Sequence, residues 1–585
     1  MRHTCAMHRV TQCVVILVAA GTSLACNVDR DKTPHHKELA ARRRARLLLR
    51  DAGLTAKLAG KAPLPKIDRM RQVVIAMDAE PGHLNPLLEI SRWGYRISMH
   101  NLFESLLRRD PKTHRPRPHL ASEWTVSPDG RVYRFKLRRD VTWHDGKPFT
   151  ARDVWYTLRR MHDRHTPMGP FRADLVNQFH QVDPLSTYSV RITLAFPNNY
   201  LLDHLCDLPI MPYHLTGRSI PRGHRINVRP VGTGPFRFGR WVRSKEIRLR
   251  RNKRYWGGVP DVQEVIFRLI PDPSKALTDL KRGLVDILPR VARQHYPEQI
   301  TLWAKRRFQR VWSEPPGFNF ILWNTRHKVL SDFRVRRALT MLIDRARIAK
   351  EVYRGLARPV SGPFYRPAGL GDPKLQPWPF DPVRARNLLD NAGWRDRDGD
   401  KIRDLGDQPM RIVLLRPVTS TVMDDELRVI VAELKRSGVQ LEPVQTDWRR
   451  LKRLLRSGKF MAAALSYRAR PAEDLSVLFH STGKRNYGRL GSLAIDKLLG
   501  QMRNSLSVRR RALYSAQLER ALWSSQPVTF VHGPRVLTLA HRRLRNVQVT
   551  SDWILLDKIK IVSFKDPAKS TGRQLSGWGL KKPRE

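Results

Sequence analysis

Four acids crowd together in Asp396-Arg-Asp-Gly-Asp-Lys-Ile-Arg-Asp404, and Asp407 follows. Counted from Asp396, acids hold positions one, three, five, nine and twelve, the spacing by which a calcium loop gathers carboxylate oxygens. An EF-hand loop wants glycine at position six and glutamate at twelve, but Lys401 and Asp407 stand there. Asp396, Asp398, Asp400 and Asp404 are therefore a weak calcium candidate, behind the plainer reading of an acidic turn. His162 and His165 fall in an expected loop and lack a third partner, which favours solvent exposure over metal binding. His144, beside the Asp145-Gly146 turn, reads as structural.

Catalytic chemistry finds no foothold. The chain has no His-Glu-x-x-His, no Gly-x-x-x-x-Gly-Lys-Ser/Thr and no Gly-x-Ser-x-Gly. The expectation is a protein that is not an enzyme and carries no cofactor. Charge is the odder feature: 109 Lys and Arg against 53 Asp and Glu, a formal net charge of +56. Such a field attracts nucleic acid, acidic lipid, cell-wall polymer or a negatively charged solute. The excess is scattered, through Arg138-Arg139 or Arg509-Arg510-Arg511, so a generally basic surface accounts for most of it. With no recognisable nucleic-acid motif, no nucleic-acid partner is expected.

What must position any site is a chain too long for one compact core, so two or three lobes are expected of its 585 residues. Residues 1–26 read as an export signal: Arg2 and Arg9, an apolar run from Val14 to Ala20, then Ser23-Leu24-Ala25-Cys26. Cys26 resembles the lipid-modified cysteine of bacterial lipoproteins, although Ser23 replaces the usual leucine and the pattern also suits ordinary signal peptidase. Processing removes Cys5 and Cys13 and leaves Cys26 and Cys206, so the mature fold does not rest on disulfides. Residues 27–70 form a basic tether. Ordered structure is predicted to begin with a buried strand at Gln72-Val-Val-Ile-Ala76. A hairpin follows around Pro128-Asp129-Gly130, with Tyr133, Phe135 and Leu137 on one face. Thr150 then caps a helix through Met161. Asp332–Tyr353 and Pro382–Ala392 read as helical, no internal repeat is visible, and 567–585 is a polar tail.

Five segments, in order, resemble the extracellular solute-binding proteins of family 5, which serve oligopeptide, dipeptide and nickel importers. The first runs from His119-Leu-Ala-Ser-Glu-Trp through Trp143-His-Asp-Gly-Lys-Pro-Phe-Thr-Ala-Arg-Asp-Val154. The second is Val231-Gly-Thr-Gly-Pro-Phe with Arg251-Asn-Lys-Arg-Tyr-Trp-Gly-Gly, and the third is Ile270-Pro-Asp-Pro-Ser with Gly283-Leu-Val-Asp-Ile. Asn324-Thr, Phe333-Arg-Val-Arg-Arg-Ala-Leu and Ile343-Asp-Arg make the fourth; Phe380-Asp-Pro and Asn391-Ala-Gly-Trp make the fifth. The resemblance covers about residues 72–564.

The resemblance implies an α/β fold, a periplasmic-binding-protein-like two-lobed clamshell with an extra insertion lobe: three lobes of the class C type. Residues 72–104, 188–270 and 546–566 would form lobe I, 105–187 the insertion lobe II, and 271–545 lobe III. A small-molecule or peptide-like ligand would bind in the interlobe cleft of a monomer, to be passed to the permease subunits of an ABC importer. The protein would be exported, periplasmic or membrane-anchored through Cys26. In peptide-binding members a carboxylate shortly after an aromatic Gly-Trp-like pair holds the peptide amine. Here Arg470 falls at that place in Phe460–Asp474, and Ala464 stands where some members carry arginine. Two readings stay open: Arg470, with Arg468, receives an anionic group, or the loop shifts and Glu473 or Asp474 supplies the carboxylate. By the same resemblance Ser91, Arg92 and Trp93 face the cleft, as does the strand ending Trp323-Asn324, with Tyr467 giving apolar surface; core packing is the alternative for each. The rival functions are a repurposed envelope sensor or chaperone, or a binder of polyanions.

Overall fold

The computed structural model describes residues 68–88, 91–160, 178–217, 223–300, 302–418, 421–550 and 553–563. The expected signal with Cys26, the tether up to residue 67, His162, His165 and the tail 567–585 lie outside them.

Two large sheets organise the chain. The first has seven strands, in the order Phe308–Ser313, Val536–His541, Ile287–Leu288, Gln72–Met77, Glu264–Leu269, Glu246–Arg251 and Phe236–Val242. Gln72–Met77 runs parallel to both its neighbours. A strand covered on both faces reads as a continuous apolar run, because its side chains alternate between two interiors. So it is here: Val73, Ile75 and Met77 enter one core, while Val74 and Ala76 enter another with Ile266, Leu277 and Leu539.

The second sheet has six strands, ordered Ala357–Pro359, Val528–Pro534, Phe318–Trp323, Ala462–Tyr467, Arg411–Pro417 and Gln440–Thr446. It is also packed on both sides. Ile321, Trp323, Ile412 and Ala464 belong to one core, and Phe318, Leu322, Ala463 and Phe530 to the other.

A third, four-stranded sheet joins Ala121–Val126, Val132–Leu137, Ser189–Leu194 and Phe179–Ser186, flanked by the helix Ala151–Arg160. Tyr133, Phe135 and Leu137 are buried and Arg134 and Lys136 exposed, the alternation the sequence predicts. The helical stretch Asp332–Tyr353 runs as two pieces, divided at Asp344-Arg345 as the sequence suggests. Asp332 caps Phe333–Met341, and Asp344 caps a new start at Arg345.

The two large sheets are linked by adjacent crossings. Strand Phe308–Ser313 of the first leads through 314–317 into Phe318–Trp323 of the second, and Val528–Pro534 passes back through Arg535 into Val536–His541. Ser313 pairs with Val536 at the crossing. Strand pairing also corrects the expected boundaries. Ile287–Leu288, Phe308–Ser313 and Val536–His541 belong to the first sheet, so residues 271–313 and 536–545 leave lobe III. Ser189–Leu194 pairs within the insertion sheet, which moves the end of lobe II past residue 187. The apolar pattern of these strands is the same in either lobe, so it carried no information about which sheet they join.

The glycine motif Val231-Gly-Thr-Gly-Pro-Phe earns its glycines by close approach. A Cβ on Gly232 would lie 1.7 Å from the Leu102 carbonyl oxygen, and one on Gly234 would lie 2.4 Å from that of Asn101. Bare backbone lets the Gly234 amide donate to Leu102 at 3.0 Å. Beside this contact Glu104 is buried and accepts from Thr233 Oγ1 (2.8 Å), Tyr255 Oη (2.7 Å) and Trp256 Nε1 (3.2 Å), with His119 Nε2 at 2.9 Å. Three separated stretches of the resemblance, those carrying His119, Thr233 and Tyr255-Trp256, thus converge on one carboxylate.

Candidate functional site

A cavity of about 350 Å3 lies where the lobes meet. Its walls come from both large lobes: Ser91, Tyr95, Arg96 and His100 from the first, Arg468, Ala469, Arg470 and Pro471 from the second, with Pro316 from the crossing segment 314–317. Arg108, Arg109 and Asp207 close one end, and Trp553 and Leu555 add apolar surface.

Local structure explains who faces it. Ser91 caps the helix Arg92–Ser98, accepting from the Gly94 amide at 3.1 Å. Helical periodicity then places Trp93 and Ile97, four apart, on the core face, and Tyr95 and Arg96 on the cavity side. Arg96 lies over the Trp553 ring at 4.8 Å. His100, just past the helix, adopts a left-handed backbone (φ 63°), and its Nδ1 is buried with no hydrogen-bond partner among the described residues. Burial, then Arg108, lowers the His100 pKa to about 3, so the ring is neutral at ordinary pH.

The opposite wall follows the strand Ala462–Tyr467. Glu473 accepts from Tyr467 Oη at 2.7 Å and from the Arg470 amide at 3.0 Å, which folds the loop back on itself. Arg470 then reaches across to the helix Leu201–Asp207: its Nη1 lies 2.8 Å from His204 Nδ1, and its Nε lies 3.9 Å from Asp207 Oδ2. Burial, Arg470 and Arg109 hold His204 down to about 3, so it is neutral and accepts from Arg470. Burial alone would raise Asp207, yet Arg109 and Arg470 bring its carboxyl below the ordinary value. Arg109 also binds Asp203 at 2.7 Å, and Asp203 meets Arg511 of the opposite lobe at 3.2 Å. Five arginines and two aspartates line the cavity, so it favours a negative guest.

Of the residues singled out by sequence, Ser91, Arg468 and Arg470 line the cavity. The others do not. Arg92 pairs with Asp78 at 2.8 Å. Trp93 packs edge-on against Phe267 and Trp553, with its Nε1 on Asp78, because the segment after the first strand winds into a helix. Trp323 is completely buried and donates to Thr529 Oγ1 at 2.9 Å. Its strand is paired on both sides, so the backbone has no edge to offer an extended ligand. Asn324 is likewise internal, donating to the carbonyls of Gly458 (3.1 Å) and Phe460 (2.8 Å). Tyr467 supports the loop and packs on Phe318. Asp474 is engaged by Arg503 at 2.7 Å and Glu473 by Tyr467, so neither lines the cavity. The sequence reading missed Arg96, His100, Arg108, Arg109 and Asp207. Nothing in the sequence singles out Arg96 or His100.

Residues 115–489 match the family described as bacterial extracellular solute-binding proteins, family 5. The chain belongs to this family. Protein XP55 of Streptomyces lividans is 28% identical over 485 residues, 80% of this chain and 85% of that one. Di/tripeptide-binding protein 2 of Pseudomonas aeruginosa is 31% identical over 345 residues, 55% of this chain and 64% of that one. Among solved structures, HbpA2 from Haemophilus parasuis matches with a TM-score of 0.74 at 22% identity, covering 84% of this chain and 100% of that one. The family 5 solute-binding protein therefore has the multi-lobed fold expected of it, and the cavity lies at the junction of its lobes. No helix among the described residues is long and apolar enough to cross a membrane.

Proposed function

We propose that this family 5 protein closes its lobes on a small, peptide-like solute bearing a carboxylate or phosphate, then delivers it to the permease subunits of an ABC importer. The observation that carries the reading is Arg470. It lines the cavity at the position where peptide-binding relatives are expected to hold an amine, and it sits among Arg96, Arg108, Arg109 and Arg468. A guanidinium there repels an ammonium group and offers a forked donor to a carboxylate or phosphate. The volume of about 350 Å3 lies at the small end of ligand pockets, which suits a short peptide or acid more than a long chain. A di/tripeptide-binding relative fits that size.

Placement outside the cytoplasmic membrane follows from the family. Anchoring through a lipidated Cys26 is the finer reading, and the intact mass of the mature chain isolated from membranes checks it.

The direct test is native mass spectrometry of the purified protein for a co-purified solute, followed by calorimetry on wild type and Arg470→Asp. An anionic solute should bind about 10- to 100-fold more weakly to the variant, as loss of a charge-assisted hydrogen bond requires. Unchanged affinity for every anion tried would overturn the proposal.

A further inference from the structure

The acidic loop Asp396–Asp404 lies in the second large lobe, between the helix Pro382–Asn391 and the strand Arg411–Pro417. Its ends are tied, for Arg395 and Asp404 exchange backbone hydrogen bonds of 3.0 and 2.8 Å. Within it, one carboxylate oxygen from each of Asp396, Asp398, Asp400 and Asp404 comes within 4.8 Å of the others.

Acidic surface turns are common, and three of these residues are exposed. What separates this loop from such a turn is Asp404. It is only 9% exposed, and its Oδ2 is buried without a hydrogen-bond partner among the described residues. A buried carboxylate beside three more, with one oxygen that no donor satisfies, costs free energy unless a cation supplies the missing charge. The neighbouring arginines do not fill that need. Arg403 turns away to Asp390 Oδ1 (2.5 Å), the Trp394 carbonyl (2.7 Å) and the Ser437 carbonyl (2.8 Å). Arg411 approaches only Asp400, at 4.0 Å.

The geometry points to a calcium site formed by Asp396, Asp398, Asp400 and Asp404. Oxygen-only donors suit a hard divalent cation, and a flexible carboxylate loop suits calcium better than magnesium, which demands a compact octahedron. Lys401, where a calcium loop prefers glycine, takes the required left-handed backbone at φ 68°. With aspartate instead of glutamate at position twelve, the site falls in the weak class. That is adequate for an extracellular protein, where calcium modules work at dissociation constants of about 0.1–1 mM. The bound ion would tie the helix Pro382–Asn391 to the sheet through its connecting loop, stiffening the lobe that carries Arg470.

Calorimetry with calcium chloride on the chelator-treated full-length mature protein tests this, with terbium luminescence and its displacement by calcium as a second readout. One saturable site is expected, with a dissociation constant of about 0.1–1 mM and weaker binding of magnesium. Asp398→Asn changes an exposed residue and should weaken calcium by about tenfold or more at unchanged circular dichroism. Asp404→Asn removes the buried charge and should do the same, while abolishing any calcium-dependent rise in Tm. Absence of saturable binding up to about 10 mM calcium, well above the range of extracellular modules, would overturn the assignment, as would equal affinity in wild type and Asp398→Asn.

Discussion

Around Glu104, four side chains from three distant segments direct hydrogen bonds at a single buried carboxylate, and its histidine, His119, is paired with it. At the interlobe cavity five arginines meet two aspartates, and one of the histidines on its wall, His100, keeps a buried nitrogen without a hydrogen-bond partner among the described residues. Both regions are polar, and both sit beside the helix that follows the first strand. One is satisfied from within the protein; the other is lined by an excess of positive charge. Burial alone would raise the Glu104 carboxyl, but His119, Tyr255 and Thr233 hold it below its ordinary value, so the pairing dominates. The lesson is that polar density does not mark a binding site. Local imbalance does.

The sharpest way to break that contrast is Glu104→Ala. It leaves His119, Thr233, Tyr255 and Trp256 facing a void and should cost about 3–5 kcal/mol in urea unfolding, as removing one partner of a buried network does. Solute affinity of the surviving folded fraction should change little. The reciprocal variant, Arg470→Ala, should lose about 1.5–3 kcal/mol of binding free energy for an anionic solute, measured by calorimetry. Its unfolding curve should stay close to wild type. If the two variants exchanged these effects, the division into scaffold and site would fall.

The sequence carried the scaffold well and the site poorly. Val73 to Met77 and Tyr133 to Leu137 announce their strands because burial repeats every two residues. Gly232 and Gly234 mark a tight loop before a strand, but the backbone they let approach, at Asn101 and Leu102, is visible only in the fold. The resemblance places Trp323 and Asn324 at the cleft, yet pairing on both sides makes their strand central, and strand order is not written in local pattern. The cavity draws on residues near 96, 108, 207, 470 and 553, each locally unremarkable, its arginines lost among 109 basic side chains. Only the fold brings them together. Arg470 stood out solely because a family pattern supplied something for it to differ from.

A smaller, pH-dependent effect is shared by the two regions. His204 and His144 are buried and neutral, with pKa values pressed down to about 3 and about 4 by burial, helped by nearby Arg470 and Arg237 respectively. Unfolded, both titrate near 6.5, so below that pH the unfolded chain takes up protons the folded chain refuses, and stability falls as pH drops. Each should contribute about 1–2 kcal/mol of that loss by about pH 5. His204→Gln keeps an acceptor for Arg470 and should flatten the pH dependence of unfolding. A slope identical to wild type would show that His204 already carries its proton.

Smallest of all is Tyr467→Phe, and it tests where scaffold ends and site begins. The hydroxyl donates to Glu473 at 2.7 Å, and Glu473 in turn accepts from the Arg470 amide at 3.0 Å. Removing the hydroxyl leaves the second bond in place and opens no space for a side chain to collapse into. The loss should be about 1 kcal/mol in stability, the net value of one hydrogen bond. Affinity should weaken only about two- to fivefold, through a looser Arg470 loop. If calorimetry instead showed Tyr467→Phe as damaging as Arg470→Ala, the hydroxyl would be touching solute directly. Tyr467 would then move from support to contact, and the cavity would extend past the loop along the face of strand Ala462–Tyr467.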